Sequence, residues 1–259
     1  MIGHVLESLN GGRGGIVTVT GEPGVGKSRL SEAVEARADE LGVRWLQTRC
    51  LAYGASLAYW PYAELVRSLS GVLSEDDPEE SQRRLADTLE RVGAATAVPY
   101  FARLLGLPGV SEEVVGLEPE AFRRGLHTAF AIILVALSKE RPLVVALEDV
   151  HWLDGSSADL TRELAQLCER EPLALYLIAR PEAEPALAEL AGDVPRRAIA
   201  LGPLDEEGVA ALVRSLLAGD VQAGFPALVR ERTAGNPLFV EELLRSLQET
   251  GALKRQNGT

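Results

Sequence analysis

The stretch GEPGVGKSRL, from Gly21 to Leu30, sets three glycines ahead of a lysine and a serine. Gly21, Gly26, Lys27 and Ser28 fit the spacing G-x-x-x-x-G-K-[ST], in which glycines let the backbone wrap a phosphate with its N–H groups turned inward. A helix opening at that point adds unpaired amides and the positive end of its dipole. The chain holds only three lysines, Lys27, Lys139 and Lys254. An ammonium on a flexible stem can follow a transferring phosphate, whereas the guanidinium fork suits fixed ion pairs. Lys27 is therefore expected to reach the β- and γ-phosphates, and the Ser28 hydroxyl to ligate Mg²⁺. Gly21, Glu22, Pro23, Gly24, Val25, Gly26, Lys27, Ser28 and Arg29 make up the expected nucleotide contact. An incidental glycine-rich turn would need strand, loop and helix to fall in register by chance.

Phosphate chemistry with a metal also calls for an acid at the end of a neighbouring strand. LVVALEDVHWLD supplies Glu148 and Asp149 directly after an apolar run. The usual order has an aspartate first, reaching Mg²⁺ through water, and a second acid that orients the attacking water. Here glutamate stands first. Either its extra methylene moves the metal or the two roles are exchanged, and both alternatives stay open on sequence. Arg180, ending a later apolar run in LIARP, is placed either to contact the γ-phosphate or as a surface arginine. His151 has no nucleophile or cysteine beside it and reads as structural. Trp152 and Asp154 are expected to pack and cap the loop after Asp149.

The elements that position these residues follow from periodicity. Ile16–Thr20, Val43–Thr48, Leu143–Leu147, Leu173–Ala179 and Arg197–Leu201 are short β-rich runs with helical patterns between them. That alternation predicts an α/β fold with a parallel five-stranded sheet, helices on both faces and right-handed crossovers. Leu30, Val34, Ala38 and Leu41 share a helical face that Gly42 ends. The connection between the second and third strands is too long for one crossover. It predicts a helical insertion over about 52–138, with helices in PYAELVRSLSGVL, EESQRRLADTLERV and EAFRRGLHTAFAIILVAL. The acidic run Ser74–Glu80 reads as a solvated turn and helix start. After Pro203 only helices are expected. Asp205 is a cap for a stripe of Val209, Leu212, Val213, Leu216 and Leu217, and Asn236 caps a helix that starts at Pro237 and stops at Gly251. The expected domains are 1–202 and a helical lid, 203–259.

Composition narrows the partners. With 38 acidic against 26 basic residues the formal net charge is −12, which disfavours a generic nucleic-acid surface or an anionic membrane. Aromatics are 5% of the chain, so an aliphatic core is expected. Cys50 and Cys168 are too few for a disulfide framework or a zinc site, and read as buried thiols of a reducing compartment. No leader pattern opens the chain and Ala129–Leu137 is too short an apolar run to span a bilayer, so the expectation is cytoplasmic, without membrane.

Taken together, GEPGVGKSRL, LEDVHWLD, LIARP, LGPLDEEGVAALV and AGNPLFVEELLRSL resemble the STAND class of P-loop ATPases. More closely, they resemble the modules found beside bacterial adenylate and guanylate cyclases and in large LuxR-type regulators. The resemblance implies an additional-strand sheet ordered 5-1-4-3-2 with a helical lid, and a switch closed by ADP and opened by ATP. It implies that Gly235-Asn236-Pro237 lies on the lid with Pro237 near the adenine. It further implies that Arg180 is a sensor arginine and that Glu148 and Asp149 are the Walker B pair. Family members carry a VGRE-like stretch before the loop, and a winged helix, helical-repeat sensor and effector after it. The sequence in hand is thus expected to be a fragment of a larger regulator or a minimal protein. Partners implied are adenine nucleotide, sensor or effector domains and a nucleotide-dependent oligomer.

Other phosphate chemistries fit less well. No [NT]KxD motif for guanine and no LSGGQ-like signature is present, and a small-molecule kinase would want more lid arginines than Arg230 and Arg232. The competing reading is a nucleotide-binding scaffold with little turnover.

Overall fold

Val, Ile, Leu and Ala dominate five runs that pair into one sheet. The computed structural model describes residues 2–52, 57–73, 75–108, 110–217 and 221–253. Its strands are β1 (Gly15–Gly21), β2 (Arg44–Arg49), β3 (Leu143–Glu148), β4 (Leu173–Ala179) and β5 (Arg196–Leu201). They lie in the order β2-β3-β4-β1-β5, the parallel arrangement expected. Every residue of β3 and β4 is buried, as strands covered on both faces must be. The edge strands β2 and β5 are mostly half-buried or exposed, Thr48 of β2 being the one buried position. The β2–β3 register runs from Arg44 opposite Leu143 to Arg49 opposite Glu148, so those two strands end on a charged pair.

Helices α1 (Ile2–Asn10) and α2 (Lys27–Glu40) flank β1 in sequence. Val5, Leu6 and Leu9 of α1 are buried, and α1 packs against β4. The turn after α2 passes through Gly42 at φ +71°.

Between β2 and β3 come α3 (Trp60–Ser70), α4 (Pro78–Arg91), α5 (Val98–Leu105), α6 (Glu112–Val115) and α7 (Pro119–Glu140). α3 stops at Gly71 in the left-handed region, which leaves Val72 and Leu73 outside the helix expected to hold them. Asp77 accepts from the amides of Glu79 and Glu80 and caps α4, so the acidic run is a helix start. Ser74, at its head, lies outside the described residues. α7 corrects the expectation that no apolar segment reaches membrane-spanning length. It has 22 residues and an 18-residue window of mean hydropathy 1.3, the only such helix among the described residues. Its Leu126, Phe130, Ile133, Leu134 and Leu137 are buried in the main core. Tyr62 and Phe101 meet Phe130 edge-on, with ring centroids 5.1 and 4.8 Å away, so a mostly aliphatic core carries an aromatic knot here.

α8 (Gly155–Leu167) and α9 (Glu184–Ala191) complete the α/β alternation, and α10 (Glu206–Leu217), α11 (Phe225–Thr233) and α12 (Pro237–Glu249) follow β5. By packing, the chain forms two compact units. One holds residues up to 19 and from 32 to 199; the other holds 20–31 together with the described residues from 200 on. The second unit has its own small core of Val209, Val213, Val229, Val240 and Leu244. Leu212 and Leu217 pack beside it as expected, but Leu216 is 41% exposed and falls off the stripe.

Candidate functional site

Gly21 ends β1, Lys27 is the first residue of α2, and the five residues between them turn the chain. Gly24 and Gly26 take φ of +78° and +102°, a region closed to side chains that carry a Cβ except under strain. Val25 anchors the turn: its side chain is buried and its amide donates to the Glu22 carbonyl at 3.3 Å. The Lys27 ammonium folds back along the loop and donates to the carbonyls of Gly21 at 2.7 Å and Glu22 at 3.0 Å. Ser28 and Arg29 are exposed on the first turn of α2, as are Glu22 and Pro23 on the loop. A loop of this shape suits a phosphate: it has a helix start, an ammonium on a flexible stem and two glycines at positive φ.

Within the same unit, the segment before α12 meets this loop. Asn236 caps α12, its Oδ1 accepting from the Leu238 amide at 3.0 Å, while its Nδ2 donates to the Pro23 carbonyl at 3.0 Å. The Leu238 amide also lies 3.3 Å from the Gly24 carbonyl. The structure thus brings Pro237, flanked by these two contacts, to the expected nucleotide loop.

In the other unit, Glu148 is the last residue of β3 and is buried. Asp149 follows at φ +55°, a left-handed conformation that aspartate tolerates, with its side chain 40% exposed. Arg49, at the end of β2, spans both acids. Its Nη2 and Nε donate to Glu148 Oε2 at 2.5 and 2.9 Å, and its Nε lies 3.7 Å from Asp149 Oδ2. The bond to Glu148 raises the guanidinium pKa further above its ordinary value. Sequence reading passed over Arg49; the available signal was an arginine closing a run that otherwise reads as strand.

Asp154 caps α8, accepting from the Ser157 amide at 2.9 Å and hydroxyl at 2.5 Å, and from the Tyr59 amide at 3.3 Å. Trp152 departs from the packing expected of it: it is 39% exposed, with its ring 5.1 Å from that of His151. Arg180 leaves the end of β4 and starts a short 3₁₀ turn, Pro181–Ala183.

No three histidine, cysteine or acidic side chains converge into a metal cage among the described residues. Mg²⁺ in phosphate chemistry is held by one or two carboxylates, a hydroxyl and the phosphates themselves, and needs no such cage. Both cysteines are buried and free, with thiol pKa values raised to about 12 chiefly by burial.

A strand, a glycine loop closed by Lys27-Ser28 and a helix, set in a sheet with the strand order β2-β3-β4-β1-β5, define a P-loop ATPase module of the AAA+ kind. The family model described as AAA ATPase domain matches residues 1–178, and the chain belongs to that family. Residues 205–259 match a domain family of unknown function. An uncharacterized protein of Rhizobium meliloti (strain 1021) is 32% identical over 248 residues, which are 93% of this chain and 24% of that protein. The chain therefore spans about a quarter of that relative's length. Among solved structures, the Aeropyrum pernix ORC1 protein in complex with DNA is 17% identical with a TM-score of 0.49, over 98% of this chain and 59% of that one. A STAND protein with a tetratricopeptide repeat sensor from Pyrococcus horikoshii is 16% identical with a TM-score of 0.46, over 92% of this chain and 28% of that one.

Proposed function

We propose that the chain binds an adenine nucleotide with Mg²⁺ and hydrolyses ATP slowly, as a regulatory switch closed with ADP and open with ATP. The observation that carries the reading is the loop itself: left-handed Gly24 and Gly26 leading into Lys27 and Ser28 at the head of α2. Lys27 holds the β- and γ-phosphates, Ser28 ligates the metal, and Gly21 to Arg29 wrap the phosphates. When bound, Mg²⁺ supplies charge neutralisation at the phosphates. Asp149, the more exposed of the two acids, orients the attacking water, and Glu148 stands near the metal. Arg180 senses the γ-phosphate and Pro237 borders the adenine. In this reading the protein works in the cytoplasm, beside sensor or effector domains, with a nucleotide-dependent oligomer as its output.

A second reading, a nucleotide-binding scaffold with little turnover, draws on the Arg49 contact with Glu148, because an arginine on the first acid competes with a metal for it.

Purified protein and Lys27→Ala are denatured in parallel and the released nucleotide is identified by chromatography, followed by titration with Mg·ATP. ADP from the wild type alone, or saturable Mg·ATP binding that Lys27→Ala loses, supports the proposal. A folded wild type that releases no nucleotide and binds no Mg·ATP overturns it.

A further inference from the structure

We propose that Asn236 is a positioning residue for the phosphate loop, tying the loop's outer arc to the first turn of α12 so that filling the loop is felt directly by that helix. The inference rests on the nucleotide-binding reading above and adds a residue to it. Asn236 spends both ends of its amide. Its Oδ1 takes the Leu238 amide and caps α12, while its Nδ2 donates to the Pro23 carbonyl, 213 residues away in sequence. The reversed amide would set oxygen against the Pro23 oxygen and NH₂ against the Leu238 N–H, so the chemistry fixes its orientation. Leu238 adds a second bond from its own amide to the Gly24 carbonyl.

Two consecutive loop carbonyls are thereby turned towards α12. A trans peptide is planar, so holding the Pro23 carbonyl outward turns the Gly24 N–H the opposite way, to the inner side of the loop. The approach is close enough to need glycine: a Cβ on Gly24 would lie 2.8 Å from Leu238 Cβ and 2.9 Å from Asn236 Oδ1. The turn that presents Asn236 is itself held, since the Gly235 carbonyl accepts from the Leu204 amide at 2.8 Å. A Cβ on Gly235 would come within 2.3 Å of the Leu204 oxygen. Loop residues 20–31 and the described residues from 200 on form one compact unit, so nothing in this chain of contacts leaves it.

Asn236→Ser tests the role. Serine caps a helix about as well as asparagine, but is too short to keep the bond to Pro23. Amide exchange without ligand should quicken several-fold at residues 24–26 while α12 keeps its wild-type rate. With Mg·ADP, the wild type should slow at 24–28 and at 239–243; the variant should keep the first effect and lose the second, with affinity about 3- to 10-fold weaker. Unchanged loop exchange in the ligand-free variant, or undiminished slowing at 239–243 with unchanged affinity, overturns the positioning role alone. A wild type that shows no slowing at 24–28 overturns the nucleotide reading, and the ligand-free comparison then still decides whether Asn236 tethers the loop.

Discussion

Arg49 closes on Glu148 across the ends of two adjacent strands, both guanidinium donors meeting one carboxylate oxygen at 2.5 and 2.9 Å. The carboxylate is 6% exposed and the arginine side chain 57%, so a long arm reaches in from solvent to satisfy a buried acid. The pairing is a direct product of strand register: a slip of one residue between β2 and β3 would turn the arginine to the other face.

Removing the arm should cost stability. Arg49→Ala leaves the Glu148 carboxylate buried with its main partner gone. Because the arginine is half in solvent, the expected loss is about 1–2 kcal/mol in denaturant unfolding, well short of a fully buried ion pair. Glu148→Gln in the Arg49→Ala background should recover part of it. If the single and double variants unfold at the wild-type midpoint, the pair contributes nothing to the folded state.

Asp149→Asn separates turnover from binding. Asparagine is isosteric and accepts the left-handed backbone at this position, so the turn survives the change. Hydrolysis should fall by about 100-fold or more while Mg·ATP affinity stays within about threefold, the signature of a lost water-orienting acid. Steady-state turnover with a parallel binding titration reads both quantities. A variant that hydrolyses at the wild-type rate removes Asp149 from the chemistry.

The start of α8 depends on Asp154. Asp154→Ala strips the cap and leaves the Ser157 and Tyr59 amides without their acceptor, so thermal unfolding should show a loss of about 1–3 kcal/mol. Asp154→Asn, which keeps an accepting oxygen, should lose less. Equal losses from the two variants would mean that the charge, not the cap, is what matters.

The thiols set a limit on alkaline stability. Burial raises the Cys50 and Cys168 pKa values from about 9 in the unfolded chain to about 12. A folded pKa above the unfolded one gives stability that is full below about pH 9 and falls as pH climbs towards about 12, because only the unfolded state releases the proton in that window. Replacing Cys168 by alanine should flatten that part of the stability–pH curve. An unaltered slope in the variant would assign the alkaline loss to other groups.

What could be read in advance was what is contiguous. The loop from Gly21 to Ser28 carries its chemistry in eight neighbouring residues. The caps are equally local: Asp205 accepts from the Gly208 amide at 2.8 Å, and Asn236 from Leu238, both as expected. Strand order came with the resemblance and not with the pattern, since alternation alone says parallel but not which strand lies beside which. Long-range pairs were out of reach. Arg49 and Glu148 are 99 residues apart, and their meeting depends on a register that no local pattern states. The same holds for His127, buried on α7, whose ring bridges the Tyr59 hydroxyl at 3.0 Å and Glu163 at 2.9 Å. Short α5 and α6 have too few turns to display a period.

Scarcity of lysine has a practical consequence for anyone watching the loop work. Amine-directed acylation has only Lys27, Lys139 and Lys254 as side-chain targets in the whole sequence. The Lys27 nitrogen is folded onto two loop carbonyls, so its reactivity should change with whatever occupies the loop, while Lys139, 64% exposed on α7, serves as an internal reference. A peptide mass ratio between those two lysines would follow occupancy in a mixture, without a fluorophore or a coupled assay.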